Sequence, residues 1–233
     1  MDLEQLLAAA PPMHPDEHGD PVAMEAPAEV LRLIDRTVDE ESRTLETGGG
    51  LSTLLFALKG TRHDCVVPFA AEIARIRSRC ELLGISHERV AFHQSASEKL
   101  LPGLDPEPLD LVLIDGGHGF PSPFIDWYYA GRRLKLGGTL IVDDTQLWTG
   151  KVLKEYLEEQ PGWELVENLP LRSAAFRRTG DEQELQDWIH QPYVARRSGT
   201  STLSRFARRS AKAVDLARRE GIRSVVERAR SRP

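Results

Sequence analysis

Acidic side chains and a histidine follow two apolar runs of the 233-residue chain. Asp115 comes directly after the run 109–114, His118 stands three residues further on, and Asp143 and Asp144 follow the run 139–142. Because the carboxyl ends of parallel strands meet at one edge of a sheet, we expect these groups to share a crevice. Three crowded carboxylates are costly unless a cation neutralises them, and hard oxygen ligands favour Mg²⁺, with Mn²⁺ or Ca²⁺ as substitutes. The pattern therefore predicts a metal site at Asp115, Asp143 and Asp144, although Asp115 and Asp144 could instead cap their loops.

A glycine-rich turn precedes these groups in the chain. It consists of Glu46, Thr47, Gly48, Gly49, Gly50, Leu51 and Ser52. Glycines let the backbone adopt positive φ and come close to a bound molecule, which then faces the N–H groups at the start of the next helix. The turn therefore predicts a ligand-binding site, with an ordinary tight loop as the alternative.

Strand-like and helix-like runs alternate from residue 44 onward, which predicts an α/β fold with a doubly wound, Rossmann-like seven-stranded sheet. The expected strands are 44–46, 65–67, 90–93, 109–114 and 139–142, with 163–167 and 174–177 as a C-terminal antiparallel pair. The expected helices are 28–38, 51–58, 70–83, 125–136 and 151–159. Gly84 is expected to end the third of these helices, and Gly137 with Gly138 to stop the fourth.

Composition indicates a soluble globular protein, with 40% hydrophobic and 28% charged residues. No apolar run approaches the ~20 residues of a membrane helix, and the apolar stretch at residues 6–10 is too short for a signal peptide. Cys65 and Cys80 form neither a metal-binding motif nor a disulfide framework, so we expect two reduced, buried thiols. A cytoplasmic location follows as the expectation.

Charge and proline content divide the chain into three regions. Residues 1–27 include five prolines and predict a flexible N-terminal arm, residues 28–190 form the main domain, and residues 191–233 predict a basic helical tail. Residues 194–233 carry a net charge of +9, which leaves −15 for the rest of the chain. The tail could pack on the acidic body, join two copies as a homo-oligomer or lie on an anionic membrane. The acidic body disfavours nucleic acid as a partner.

Taken together, these motifs resemble those of class I S-adenosylmethionine-dependent methyltransferases. The resemblance rests on the acidic glycine-rich turn, the strand that ends at Asp115 and the glycine-preceded strand that ends at Asp143 and Asp144, and it covers about residues 40–180. Within this superfamily the chain is most similar to metal-dependent O-methyltransferases of the catechol and macrocin (sugar) types. The resemblance implies S-adenosylmethionine and a divalent cation as cofactors. It also implies O-methylation of a small hydroxylated acceptor such as a sugar or natural product.

The resemblance also implies roles for individual residues. The cofactor would be held by Glu46, Thr47, Gly48, Gly49, Gly50, Ser52, Ser95 and Asp115. His118 stands at the position of the proton-accepting residue, which makes His118 and Asp115 the catalytic candidates. The family commonly places a ribose-binding acid after its second strand, whereas residues 65–69 contain none and Glu72 is the nearest substitute.

Two other functions stay open from the sequence. One is a metal-independent methyltransferase acting on nitrogen, oxygen or RNA, and the other is a non-catalytic binding module that docks through its basic tail. The missing ribose acid favours the module, whereas the Asp and His set disfavours it. Trp148 is the aromatic residue most expected at an acceptor pocket, since Trp127, Tyr128 and Tyr129 stand at the helical spacing of a packed core.

Overall fold

The computed structural model describes residues 1–9, 14–15, 21–22, 26–104, 107–169, 172–180 and 187–198. The chain forms two compact units, Met1–Glu182 and Gln183–Pro233. The described part of the second unit contains a 3-10 helix, Trp188–His190, and a short helix, Pro192–Arg197. Most of the predicted basic tail lies outside the described residues.

The first unit is built on a seven-stranded sheet. Two short strands, β1 (His14–Pro15) and β2 (Pro21–Val22), pair antiparallel with each other outside this sheet. The strands of the seven-stranded sheet are β3 (Arg43–Thr47), β4 (Arg62–Val66), β5 (Val90–His93), β6 (Leu109–Ile114), β7 (Leu134–Val142), β8 (Trp163–Leu169) and β9 (Ser173–Arg178). Their spatial order is β5-β4-β3-β6-β7-β9-β8. The first five strands in this order are parallel, whereas β9 runs antiparallel to β7 and β8 antiparallel to β9. The predicted doubly wound sheet with a C-terminal antiparallel pair is confirmed.

Helices cover both faces of the sheet. They are α1 (Leu3–Ala9), α2 (Ala28–Thr37), α3 (Leu51–Leu58), α4 (Ala70–Leu83), α5 (Ser97–Leu100), α6 (Ser122–Tyr129) and α7 (Trp148–Glu159). The central strand β6 shows why two layers form, because its buried residues alternate between faces. Leu111 and Leu113 pack with residues of α1–α4, and Val112 and Ile114 pack with residues of α6 and α7.

The strand order places a switch point between β3 and β6. From β3 the chain proceeds outward through β4 and β5, and it then returns to form β6 on the other side of β3. In open α/β sheets, ligands bind in the crevice beyond the carboxyl ends of the strands at such a point. The glycine turn follows β3 and Asp115 follows β6, so both lie at this crevice.

The predicted helix at 125–136 is wrong in both of its bounds. Helix α6 ends at Tyr129, and Leu134 already belongs to β7. Gly137 has φ 83, and the β6–β7 register shifts between Leu109 and Leu111. The glycine therefore forms a bulge within the strand, where the sequence pattern indicated a helix stop.

The expectations for Gly84 and for the two cysteines are confirmed, whereas the start of the chain differs from a flexible arm. Gly84 ends α4 in the left-handed conformation, with φ 66. Cys65 and Cys80 are free thiols in the core. Part of the segment predicted as a flexible arm is the helix α1, whose Leu3 and Leu6 are buried in the core. No helix of the described residues is long and apolar enough to cross a membrane.

Candidate active site

The glycine turn passes directly over the end of β6. Gly48 has φ 82, its N–H donates to the carbonyl of Val66, and a Cβ on Gly48 would overlap the carbonyl oxygen of Asp115. A Cβ on Gly49 would lie 2.7 Å from a methyl group of Val67. The close crossing of backbone segments therefore requires glycine at these two positions. It also brings the turn and Asp115 to the same wall of the crevice.

Glu46 lies behind the turn, in the interior. Its carboxylate accepts hydrogen bonds from the hydroxyls of Ser52 (2.7 Å) and Thr53, and it lies 3.1 Å from Nε2 of His63. The hydroxyl of Thr53 also accepts from the N–H of Gly50. The resemblance assigned Glu46 and Ser52 to cofactor binding. In the structure their hydrogen bond joins the end of β3 to the start of α3. Their direct contact with a ligand stays a prediction.

A cavity of about 580 Å³ opens at the switch point. Its lining comes from the residues at the ends of β3, β4 and β6 and at the starts of α4, α5 and α6. Asp144, which follows β7, and Arg172, which precedes β9, complete it. The lining residues are Thr47, Gly48, Gly49, Val66, Pro68, Phe69, Glu72, Ala96, Ser97, Glu98, Asp115, Gly116, Gly117, His118, Ser122, Asp144 and Arg172. Its volume lies within the range of about 300–1,000 Å³ that is usual for small-molecule sites.

The cavity differs from the expectation at Ser95. Ser95 is not part of the cavity lining, and its hydroxyl donates to the carbonyl of Ala96. Ser97 and Glu98, at the start of α5, line the cavity in its place. The sequence could have indicated them, because residues that follow the carboxyl end of β5 reach the same edge as those that follow β3. Glu72 lines the cavity as expected.

Asp115, His118 and Asp144 come together at the cavity. Their ligand atoms all lie within 4.8 Å of one another, and Nε2 of His118 lies 3.1 Å from Oδ2 of Asp144. The hydroxyl of Thr149 donates to the carbonyl of His118 at 2.5 Å, which ties the histidine loop to α7. Burial first, and then repulsion from Asp143 and Asp144, raise the pKa of Asp115 well above its usual range. The structure therefore gathers three of the four predicted catalytic and metal-binding groups.

Asp143 lies next to this cluster but is held by other partners. It is buried, and its two oxygens accept hydrogen bonds from the hydroxyl of Ser173 and from Nη2 of Arg172 at 3.0 Å. Sequence reasoning missed Arg172. The sequence predicted β9 only as the antiparallel partner of β8, so it gave no signal that the start of β9 lies beside the end of β7. The register pairs Val142 of β7 with Ala174 of β9, which brings Arg172 next to Asp143.

Aromatic residues stand beside the acidic groups. The side chains of Phe120 and Trp148 are exposed, and their ring centroids are 6.0 Å apart. Trp127 is buried and packs edge-on against Tyr156 in the core. Of these two tryptophans, Trp148 is thus the one whose side chain is exposed to a ligand.

A comparison with protein families gives a match within the sheet. Residues 45–145, which run from β3 to just beyond β7, match a family described as a methyltransferase domain. This region of the chain, which contains Asp115, His118 and Asp144, is thus similar to methyltransferase domains. No curated protein matches the chain in sequence.

Solved structures show the same fold. Cofactor-bound Rv0187 from MTB is 21% identical, with a TM-score of 0.56 over 76% of this chain and 87% of its own. The O-methyltransferase TomG from Streptomyces achromogenes, solved with S-adenosylmethionine, is 20% identical, with a TM-score of 0.58 over 76% and 89%. An rRNA methylase from Streptococcus thermophilus is 16% identical, with a TM-score of 0.53 over 68% and 100%. At these identities the similarity shows the fold alone.

Proposed function

We propose that the protein methylates a hydroxyl group of a small acceptor and that a divalent cation bound by Asp115 and Asp144 assists the transfer. The observation that carries this proposal is the convergence of Asp115, His118 and Asp144 within 4.8 Å of one another at the cavity. TomG, described as an O-methyltransferase involved in tomaymycin synthesis, supports an O-linked small-molecule acceptor by its similar fold. A cytoplasmic location is in accord with the two free, buried cysteines.

The cavity fits S-adenosylmethionine in size and in chemistry. S-adenosylmethionine supplies a methyl group activated on a sulfonium sulfur. The carboxylates of Glu72 and Glu98 in the lining are suitable acceptors for ribose hydroxyls, in a site where residues 65–69 contain no acid. The turn at Thr47 to Gly49 and the backbone beyond Asp115 bring the chain close to the bound molecule.

The cluster also fits a divalent cation, with a smaller ligand set than the sequence predicted. Asp115 and Asp144 supply oxygen ligands, whereas both oxygens of Asp143 are engaged with Ser173 and Arg172. A bound cation would neutralise the carboxylates and orient the acceptor hydroxyl.

His118 is the proton acceptor in this proposal. Its side chain is 44% exposed, so an acceptor can reach it. Asp144 orients the ring through the contact of its Oδ2 with Nε2 of His118. When Nε2 donates to Asp144, Nδ1 is the atom that accepts the proton of the hydroxyl. The exposed rings of Phe120 and Trp148 offer an apolar surface for the acceptor.

A panel of hydroxylated acceptors with S-adenosylmethionine tests the proposal by the gain in mass of one methyl group. We expect turnover to fall after exhaustive chelation and to return with added Mg²⁺. Asp144→Asn should lose the stimulation by metal, while calorimetry shows that S-adenosylmethionine binding persists. Full activity in the chelated enzyme contradicts the metal-assisted mechanism.

Metal-independent transfer is the second candidate function. It is favoured by Arg172, whose guanidinium lies against both Asp143 and Asp144 and supplies positive charge to the acidic cluster. The same chelation experiment separates the two candidates.

A further inference from the structure

The acidic cluster contains a cation that belongs to the chain itself. Arg172 directly precedes β9 and lines the cavity. Its Nη2 lies 3.0 Å from Oδ2 of Asp143, and its Nη1 lies 3.6 Å from Oδ1 of Asp144. One guanidinium therefore spans two adjacent carboxylates, one of them within the proposed metal site.

The two contacts of Arg172 differ in strength. The contact with Asp143 has the length of a charge-assisted hydrogen bond and is made to a side chain with no exposed surface. The contact with Asp144 is beyond hydrogen-bond length, and the same Oδ1 atom accepts from Nε2 of Gln146 at 2.6 Å. Asp144 is thus the partner that Arg172 can give up more readily.

We propose that Arg172 is a built-in counter-cation that competes with the divalent cation for Asp144. The proposal rests on the metal site suggested above. A guanidinium so near the carboxylates repels a second cation, and it stays charged at every pH the protein tolerates. Metal therefore binds more tightly when Arg172 yields its contact with Asp144 while it keeps its contact with Asp143. Arg172 in this way lowers the affinity of the site for metal and sets the concentration at which metal assists catalysis.

Mn²⁺ binding to the ligand-free protein, followed by electron paramagnetic resonance, tests this competition without any need for turnover. In Arg172→Gln the dissociation constant for Mn²⁺ should fall about tenfold or more, because a neighbouring positive charge is gone. Arg172→Lys keeps the charge and should remain near the wild-type affinity. Arg177→Gln is the matched control, since Arg177 lies in β9, pairs with Glu164 at 3.7 Å and is half exposed.

A double variant keeps the test valid if the single variant Arg172→Gln fails to fold. Arg172→Gln leaves the buried carboxylate of Asp143 without its cationic partner, which is destabilising. Arg172→Gln with Asp143→Asn removes both charges together. Because Asp143→Asn also removes a negative charge near the site, the double variant is compared with Asp143→Asn alone, and it should bind Mn²⁺ more tightly than that single variant.

The outcomes separate the inference from the function on which it rests. Unchanged or weaker Mn²⁺ binding in both Arg172→Gln variants, each against its own reference, alongside measurable binding by wild type, overturns the competition and leaves the metal site standing. No Mn²⁺ binding by any variant overturns the competition and the metal site together. Titration of S-adenosylmethionine into the same samples reports on the cofactor site independently.

Discussion

Asp144 has φ 53, a left-handed conformation that few residues other than glycine adopt. Such a backbone costs on the order of 1–3 kcal/mol, and the surrounding structure must hold it. Its carbonyl accepts from the N–H of Leu147 at 3.0 Å, and Gly150 packs so closely that a Cβ there would lie 2.5 Å from the same oxygen. The conformation separates Asp144 from Asp143, so that one carboxylate faces the cavity and the other faces β9.

This separation explains why the sequence predicted the acidic cluster only in part. Two adjacent aspartates after a strand look alike in a sequence, and the backbone angle that sends them in different directions depends on contacts with α7 and β9. Asp115 and His118 were easier to place, because the residues just beyond a central parallel strand reach the switch point whatever the details of the loop. Arg172 was hidden because its partner lies 29 residues away in the chain.

At the residue scale, His118→Ala should reduce turnover by about 10² to 10⁴, the usual contribution of a general base. Mn²⁺ and S-adenosylmethionine affinities should stay close to wild type, because Asp115, Asp144 and the cavity remain. Steady-state kinetics and calorimetry on one preparation measure both effects. His87→Ala is the control, since His87 packs edge-on against Phe92 and is not part of the cavity lining. A His118→Ala enzyme as fast as wild type would falsify the base assignment.

At the scale of elements, the helices and strands that the sequence placed correctly are those with strong local signals. The runs 51–58, 70–83, 90–93 and 109–114 have the same bounds in the structure, since apolar periodicity and glycine stops mark them. The start of β4 was missed because Arg62, His63 and Asp64 look polar. The pairing of His63 with Glu46 and of Asp64 with His93, at 3.1 Å and 2.8 Å, explains how they fit in a sheet.

The bulge at Gly137 shows the limit of such local signals. A glycine pair after a helical pattern is typical of a helix end, and it is equally typical of a kinked strand. The choice depended on partners far along the chain. Leu134 pairs with Leu109, and the ammonium of Lys135 lies 2.8 Å from Asp110. Tertiary pairing with β6 therefore overrode the local pattern.

Asp126 joins three elements around the cavity. It lies fully buried on α6, it accepts from the hydroxyl of Thr47 at 2.8 Å, and it interacts with the hydroxyl of Ser97. Thr47 and Ser97 both line the cavity. Burial raises the pKa of Asp126, and the hydrogen bonds from Ser97 and Thr47 oppose this shift only in part. The carboxyl therefore holds its proton to a higher pH in the folded protein than in the unfolded chain.

The sign of the pH dependence follows from this shift. Between the unfolded and the folded pKa of Asp126 the native state binds more protons, so its contribution to the free energy of unfolding falls as the pH rises. Asp126→Asn removes this dependence. The stability of the variant relative to wild type should thus increase from about pH 4 upward and become constant above the folded pKa. Denaturant unfolding over a series of pH values measures it, and a difference that does not change with pH contradicts the burial of a titrating carboxyl.

At the scale of the whole molecule, charge is distributed very unevenly. Residues 194–233 carry +9 and the remaining residues −15. The sequence predicts that the tail docks on an acidic surface, either of its own body or of a second copy, and no described contact tests this. Within the described part of the chain, the buried core residues lie between Leu3 and Phe176, which gives the unit Met1–Glu182 a core of its own.

Removal of residues 183–233 should therefore leave S-adenosylmethionine binding intact while it lowers the oligomeric state or the melting temperature at low salt. Added salt should bring the full-length protein toward the truncated one, because exposed charges are screened over ~8 Å at physiological ionic strength. Analytical ultracentrifugation and thermal melting measure these effects. A full-length variant with Arg208, Arg209, Arg218 and Arg219 replaced by Gln separates charge from chain length. If the truncated protein keeps its oligomeric state and stability and loses only its binding to anionic vesicles, the tail contacts membranes and the docking prediction is wrong.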